Sequence, residues 1–262
     1  MPLAHGQFGW ADLMSTDVEA SRALYEGLFS WESRIMPTPM GPDYTIFTRD
    51  GQMVAGMGPQ PPDMPPGVPS VWNTYVMVDD VDQIAAKAES AGGFVAMPAM
   101  DVMTQGRMAM IGDPSGAVVG LWQPMEHPGA EVMGESGSVA WNELQTRNLA
   151  GATAFYATVF DWEWNDFDGS GYQVATLEAK EGDDKTVAGA MTMPDEVPPE
   201  APSTWLVYFA VGNCDESVEQ AVGLGATIFV PPMTMGPGRF AGLTDPTGAM
   251  FMVGHFDEPE PA

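Results

Sequence analysis

The segment FGWADLMSTDVEASRALYEGLFSWE, residues 8–32, returns later in the chain as VAWNELQTRNLAGATAFYATVFDWE, residues 139–163. The two segments match without a gap at large side chains, in the pairs Trp10/Trp141, Leu13/Leu144, Tyr25/Tyr156, Phe29/Phe160 and Trp31/Trp162. Collinear identity at bulky positions over such a length indicates an internal duplication. The sequence therefore predicts two copies of one module.

The match continues beyond this segment through two shorter motifs. WNTYV from Trp72 aligns with WLVYF from Trp205, and DPSGA from Asp113 aligns with DPTGA from Asp245. Between the copies, residues 126–137 lack hydrophobic periodicity, which is typical of a linker. The predicted domains are residues 5–125 and 138–256, joined by this linker.

Local patterns predict the elements of each copy. Residues 8–14 alternate as a strand, Asp17 offers a helix cap, and the following apolar residues recur on one helical face. Two short strands then flank Asp50-Gly51, which is typical of a hairpin. The second half repeats this order, with Asp79-Asp80 as the cap of an Ala-rich helix over 81–91 and a hairpin turning at DPSG. Each copy is thus predicted to contain two βαβββ units, in an α+β fold.

Composition limits the classes of function. The chain has 36 Asp and Glu against 9 Lys and Arg, a net charge of −27, which would repel nucleic acid and anionic membranes. Its single cysteine, an N-terminus without a signal-peptide pattern, and the lack of an apolar run of about 20 residues favour a cytoplasmic protein that does not span a membrane. A small molecule is the expected partner, and the chain is expected to be a monomer or a homodimer.

The order of strand, Asp or Asn cap, Ala-rich helix, Tyr-x3-Phe-x-Trp and a later Asp-Pro-x-Gly-Ala resembles the vicinal oxygen chelate superfamily. This superfamily comprises glyoxalases, bleomycin-resistance proteins and extradiol dioxygenases. The segments WNTYVMVDDVD and IGDPSGAVVGLWQ look like those of the tandem two-module mycobacterial 27 kDa antigen group. The resemblance implies a tandem duplication of glyoxalase-like domains, in which paired βαβββ units form concave mixed sheets around a cavity, usually with a divalent metal at its floor.

The metal ligands that the resemblance implies are missing from this sequence. The corresponding positions carry, in the two copies, Trp10 and Trp141, Asn73 and Leu206, and Gly120 and Met252. Indole, leucine and glycine side chains cannot coordinate a hard divalent ion, and Asn and Met are poor ligands for one. We therefore predict no metal and no cofactor.

Strand alternation assigns residues to the predicted cavity. If Ala11 and Leu13 pack under the helix, Trp10 and Asp12 point to the concave face. Asp12 and Glu143 are the catalytic candidates, because a carboxylate among aromatic rings can exchange a proton near neutral pH. The alternative is a structural carboxylate. The predicted substrate-binding residues are Trp10, Asn73, Tyr75, Arg107, Trp141, Tyr208 and Arg239. The two arginines could clamp a ligand carboxylate or anchor their hairpin loops to an aspartate.

Three functions remain open at this point. The first is a metal-independent lyase or isomerase that works by proton transfer through Asp12 or Glu143. The second is a non-catalytic protein that sequesters a small apolar or aromatic molecule, as in the bleomycin-resistance branch. The third is a metal-dependent glyoxalase-type lyase with an atypical site that uses His255 and either Asp12 or Glu143.

Overall fold

The computed structural model describes residues 3–38, 41–182, 184–195, 197–236 and 238–257. The elements of the first copy are β1 Phe8–Ser15, α1 Val18–Phe29, β2 Glu32–Met36, β3 Tyr44–Arg49, β4 Gln52–Pro59, β5 Val71–Met77, α2 Val81–Ser90, β6 Phe94–Val102, β7 Gly106–Gly112 and β8 Val118–Pro124. Those of the second are β9 Val139–Thr146, α3 Leu149–Phe160, β10 Glu163–Asp166, β11 Gln173–Thr176, β12 Thr186–Thr192, β13 Thr204–Ala210, α4 Cys214–Gly223, β14 Thr227–Met235, β15 Gly238–Thr244 and β16 Met250–Phe256.

Each copy forms one mixed sheet of eight strands. The strand order is β2-β3-β4-β1-β5-β8-β7-β6 in the first sheet and β10-β11-β12-β9-β13-β16-β15-β14 in the second. The first strand of every βαβββ unit pairs in parallel with the fourth, and the remaining strands follow as antiparallel hairpins. The identical strand order confirms the predicted α+β fold of duplicated βαβββ units.

Asp and Asn caps begin all four helices of the described chain. Asp17, Asp80, Asn148 and Asn213 each accept a hydrogen bond from the backbone N–H three residues later. Such a bond satisfies one of the amide groups that have no partner within the helix. The predicted caps at Asp17 and Asp80 are thus confirmed, as is the hairpin between β3 and β4.

The backbone divides into two compact units, each of which contains half of either copy. Unit 1 contains the described residues of Met1–Trp10, Thr74–Gly129 and Trp141–Leu206, and unit 2 those of Ala11–Asn73, Ala130–Ala140 and Val207–Ala262. Each unit has its own hydrophobic core. The largest fully buried side chains of unit 1 include Tyr156, Phe160 and Trp162. Those of unit 2 include Tyr25, Phe47, Phe209 and Phe251.

Opposite faces of β1 and β9 have different environments. Ala11, Leu13 and Leu144 are fully buried in the cores, where the helices pack. This agrees with the predicted alternation, because successive side chains of a strand point to opposite faces. Asp12 and Glu143 therefore lie on the face of each sheet that carries no helix.

Candidate functional site

In unit 2, Asp12 on β1 lies among polar side chains of β3 and β5. Its Oδ2 atom accepts a hydrogen bond from the Tyr44 hydroxyl at 3.2 Å, and its Oδ1 atom accepts one from the Asn73 amide at 3.1 Å. All three residues are half-buried. The structure therefore brings together two predicted site residues, Asp12 and Asn73, and adds Tyr44.

In unit 1, Glu143 is the centre of an equivalent group, which we call the Glu143 cluster: Trp141, Glu143, Gln145 and Tyr172. The Glu143 Oε2 atom accepts a hydrogen bond from the Tyr172 hydroxyl at 2.9 Å, and Oε1 accepts one from the Gln145 amide at 3.0 Å. The Trp141 indole N–H donates to the same Tyr172 hydroxyl at 2.9 Å. Only 4% of Glu143 is exposed, whereas the other three residues are half-buried.

The direction of hydrogen bonding in the Glu143 cluster is fixed by chemistry. An indole N–H can only donate, so the Tyr172 oxygen accepts from Trp141 and its own hydrogen points to Glu143. Burial, reinforced by the negative charge of Glu143, raises the pKa of the Tyr172 hydroxyl well above its ordinary value of 10.0. Tyr172 therefore remains a protonated donor across the physiological pH range.

A glycine makes room for this arrangement. Glu143 on β9 is in register with Gly189 on the parallel strand β12. A Cβ atom at position 189 would overlap the Tyr172 hydroxyl and would lie 2.7 Å from the Trp141 indole nitrogen. The missing side chain of Gly189 is thus what allows Tyr172 to reach Glu143.

The two tyrosines were missed by the sequence analysis. Tyr44 begins β3, and Tyr172 directly precedes β11, which is the corresponding strand of the second copy. Their repetition at the start of the same hairpin was the available signal. Nothing local, however, indicated that either hydroxyl would contact a carboxylate on a different strand.

Arg107 and Arg239 contact carboxylates of the protein itself. Arg107 binds Asp82 with two nitrogens, at 2.7 and 2.9 Å, and Asp101 with a third at 2.7 Å. Arg239 binds Asp215 in the same two-nitrogen geometry, at 2.6 and 2.7 Å. Hydrogen bonds from the arginines lower the pKa of the Asp82 and Asp215 carboxyls. This geometry fits the alternative in which each arginine anchors its hairpin to an aspartate.

Three predicted aromatic site residues are almost completely buried. Trp10, Tyr75 and Tyr208 are each 5% exposed. The Trp10 ring meets the imidazole of His127 edge to face at 4.4 Å, and Tyr208 packs against Phe240. These rings present little surface to a ligand, in contrast to the half-buried Trp141.

The donor set does not fit the divalent metal that the fold implies. Tyr75 on β5 is in register with Gly120 on β8, which occupies one implied ligand position. The Tyr75 ring lies where a Cβ atom of residue 120 would stand, so a carboxylate there would displace the ring. Within the described ranges, no group of three His, Cys, Asp or Glu side chains is arranged to hold a metal ion. We therefore derive no chemical step through a metal.

Two open clefts of unit 2 are lined by other residues than Asp12. One, of about 510 Å³, is lined by the end of α1 and the start of α4, and it includes Arg49 and Glu216. The other, of about 410 Å³, lies beside Arg22 and Asp43. Neither is lined by a predicted site residue.

Comparison with known proteins identifies the family. The model of the Glyoxalase/Bleomycin resistance protein/Dioxygenase superfamily matches residues 7–121, and that of the Glyoxalase-like domain matches residues 141–254. The chain is 41% identical over 251 residues to the protein named "Putative glyoxylase CFP32" of Mycobacterium tuberculosis, covering 95% of this chain and 94% of that protein.

The chain belongs to the glyoxalase/bleomycin resistance protein/dioxygenase superfamily.

A second relative in this superfamily is the "Anthracycline biosynthesis protein DnrV" of Streptomyces peucetius. It is 37% identical over 270 residues, covering 99% of this chain and 96% of that protein. Among solved structures, the fold is similar to a Mn(II)-bound glyoxalase from Novosphingobium aromaticivorans, with a TM-score of 0.63 and 14% identity, covering 98% of this chain and 84% of that one. The 2,3-dioxygenase LapB from Pseudomonas sp. KL28 has a TM-score of 0.62 and 13% identity, covering 100% and 95%. The chain therefore consists of two glyoxalase-like domains in tandem.

Membrane insertion through a helix has no support among the described residues. None of the helices there combines the length and the apolar character that crossing a bilayer requires.

Proposed function

We propose that this glyoxalase-like protein acts on a small apolar or aromatic molecule by metal-independent proton transfer, as a lyase or isomerase. Glu143 is the proposed proton acceptor in unit 1, and Asp12 is its counterpart in unit 2. The observation that carries the proposal is the hydrogen bond from the Tyr172 hydroxyl to the buried Glu143 carboxylate.

This hydrogen bond matters because it orients a carboxylate in a site from which bulk water is largely excluded. A general base must be held within hydrogen-bond reach of the proton it removes, and burial strengthens electrostatic interactions. The proton would pass from the ligand to a Glu143 oxygen, while the bonding electron pair stays on the ligand. Return of the proton to another ligand atom gives isomerisation, and breaking a neighbouring bond gives cleavage.

The names of the relatives support a small organic substrate. One carries a glyoxylase name, and another is named for anthracycline biosynthesis. Both cover nearly the whole chain, so the likeness includes both domains.

The experiment is a search for turnover by protein stripped of metal with a chelator. A panel of 2-oxoaldehydes and aromatic metabolites would be incubated in D₂O, and NMR would follow new products and deuterium incorporation. We expect turnover by the parent and a loss of about 100-fold or more in Glu143→Gln or Asp12→Asn, since an amide keeps the shape but cannot accept the proton.

The same experiment distinguishes the sequestering alternative, which the half-buried Trp141 favours as a stacking surface. Binding of a compound without formation of any product would contradict proton transfer and identify a sequestering protein. A rate of product formation that neither substitution changes would also contradict proton transfer by these carboxylates. Turnover only after a divalent metal is added would contradict metal independence.

A further inference from the structure

Strands β6 and β7 of unit 1 carry methionines that lie opposite each other. Met97 is in register with Met110, and Met100 with Met108. Residues in register across an antiparallel ladder point to the same side of the sheet, with Cβ atoms about 4.5–5.5 Å apart. Met108 and Met110 also share one side, because side chains of a strand alternate. These residues therefore form one group, which we call the methionine cluster: Met97, Met100, Met108 and Met110.

Irregular pairing of β6 produces this arrangement. Met97 and Met100 are three positions apart, a spacing that would put them on opposite faces of a regular strand. The register shifts between Val95 and Met97 and again between Met97 and Met100. Because such bulges redirect side chains, both methionines of β6 point to the side of those of β7.

This side of the sheet is not the one that packs against α2. Ala109 and Ile111 of β7 are fully buried in the same hydrophobic core as Ile84 of α2. Alternation along β7 therefore places the methionine cluster on the opposite face. Met100 is 48% exposed, and the other three methionines are half-buried. An ion from the solvent can thus reach the cluster.

The chemistry of these side chains favours a particular class of ion. The thioether sulfur of methionine is a soft, uncharged ligand that selects Cu(I) over hard ions such as Mg(II) or Mn(II). Methionine is also unbranched and flexible, so side chains on opposite strands can bring their sulfurs to one ion. The net charge of −27 adds a long-range attraction for any cation. This donor set is distinct from the hard-metal positions that the fold implies.

The second copy has the same irregular hairpin with different side chains. β14 shifts register on both sides of Val230, which pairs with Gly242, and Met233 pairs with Phe240. Three of the four corresponding positions thus carry no sulfur. The hairpin can therefore form without opposed methionines, so its shape alone does not account for the cluster in unit 1.

We propose that the methionine cluster is a binding site for a soft monovalent metal ion, Cu(I), held by thioether sulfurs of opposed methionines on β6 and β7. The site is separate from the proposed function, because neither Glu143 nor Asp12 belongs to it. Its failure would leave the proposal of proton transfer untouched.

The test uses Ag(I), a soft monovalent ion that stands in for Cu(I) and is stable in air. The full chain would carry ¹³C in the methionine methyl groups, with signals assigned by single Met→Leu variants. Cys214→Ala is the background, because a thiol would bind Ag(I) in its own right. We expect the first equivalent of Ag(I) in chloride-free buffer to shift the methyl signals of the methionine cluster, and Mg(II) to leave them in place.

Met100→Leu/Met108→Leu in this background should weaken Ag(I) binding, measured by calorimetry, by about tenfold or more. Removing ligands costs at least as much as removing the groups that orient them. Leucine has a similar volume, so the melting temperature should change little. Met233→Leu is the matched control, because it makes the same change at the exposed position of the second copy that corresponds to Met100. It should leave the affinity unchanged.

Equal Ag(I) affinities of the double variant and of Met233→Leu would overturn the inference. If the double variant does not fold, the methyl signals of the background chain decide by themselves. Signals of the methionine cluster that stay in place, while those of other methionines shift with the first equivalent of Ag(I), would equally overturn it.

Discussion

At the scale of single residues, each candidate carboxylate has a glycine beside it on the adjacent strand. Asp12 is in register with Gly56, and Glu143 with Gly189. In unit 1 the consequence is direct, because the space above Gly189 contains the Tyr172 hydroxyl and the Trp141 indole nitrogen. The glycine therefore contributes to the Glu143 cluster without making a polar contact.

Gly189→Ala should disrupt the Glu143 cluster although it changes no polar side chain. The added methyl group overlaps Tyr172, so we expect a loss of about 1–3 kcal/mol in the free energy of unfolding, as for an overpacked site. Urea denaturation measures this loss. Gly223→Ala is the control, because a Cβ atom there meets nothing within 4 Å and lies in a helix, where alanine is favoured. Equal stabilities of the two variants would contradict the role of Gly189.

A second prediction concerns Gly120, where the fold implies a metal ligand. Gly120→Glu should not create Mn(II) binding, because its side chain must displace the Tyr75 ring. We expect a melting temperature below that of the parent, and no increase when Mn(II) is added, since only a ligand that binds the native state raises it. The double variant Tyr75→Ala/Gly120→Glu removes the overlap and should recover part of the loss. A rise of several degrees in the parent at micromolar Mn(II) would refute the metal-independent site.

At the scale of elements, a buried Trp, Tyr and Asp that contact one another through their side chains connect a helix to a turn in each unit. In unit 2 the Trp72 indole donates to Tyr25 on α1 at 2.8 Å, and the Tyr25 hydroxyl donates to Asp245 in the turn after β15 at 3.2 Å. In unit 1 Trp205 donates to Tyr156 on α3 at 2.8 Å, and Tyr156 interacts with Asp113. The Asp of the Asp-Pro-x-Gly motif therefore contacts a helix tyrosine in both copies.

These tyrosines predict a loss of stability at alkaline pH. Burial, followed by the charge of Asp245 or Asp113, raises the pKa of the Tyr25 and Tyr156 hydroxyls well above 10.0. Above pH 10 the unfolded chain loses these protons while the folded chain keeps them, so the free energy of unfolding decreases as pH rises. The slope should approach about 1.4 kcal/mol per pH unit for each such tyrosine.

Urea denaturation at a series of pH values from about 8 to about 11.5 would measure that slope. Tyr156→Phe should be less stable than the parent at pH 8 but show a shallower alkaline slope, because one titrating group is gone. An unchanged slope in this variant would show that Tyr156 does not titrate as its burial requires.

At the scale of the whole molecule, the net charge of −27 opposes compaction. Repulsion among exposed carboxylates is screened by salt, with a Debye length that falls from about 30 Å at 0.01 M to about 10 Å at 0.1 M. We therefore expect the melting temperature to rise by several degrees between about 0.01 and 0.5 M NaCl. Sorbitol at matched osmolality is the control, and an equal rise in sorbitol would rule out charge screening as the cause.

The sequence by itself determined the features that depend on local chemistry and on repetition. The duplication, the order of elements, the caps at Asp17 and Asp80, and the inward-facing Ala11 and Leu13 could all be predicted. Caps form over three residues and strand alternation has a period of two, so neighbouring residues suffice to specify them. The lack of metal-ligand side chains at Trp10 and Gly120 could likewise be inferred from residue identity.

Only the tertiary structure decided which distant groups meet. Tyr172 contacts Glu143 across 29 positions of sequence, and Tyr25 contacts Asp245 across 220. From the sequence, Arg107 could bind either a ligand carboxylate or an aspartate of the protein. In the folded structure it contacts Asp82 and Asp101. Trp10 and Trp141 occupy equivalent positions in the duplicated sequence. In the structure, however, Trp10 is 5% exposed whereas Trp141 is half-buried. Such contacts depend on how strands and helices pack in three dimensions, and identical local patterns acquire different neighbours when the surrounding side chains differ.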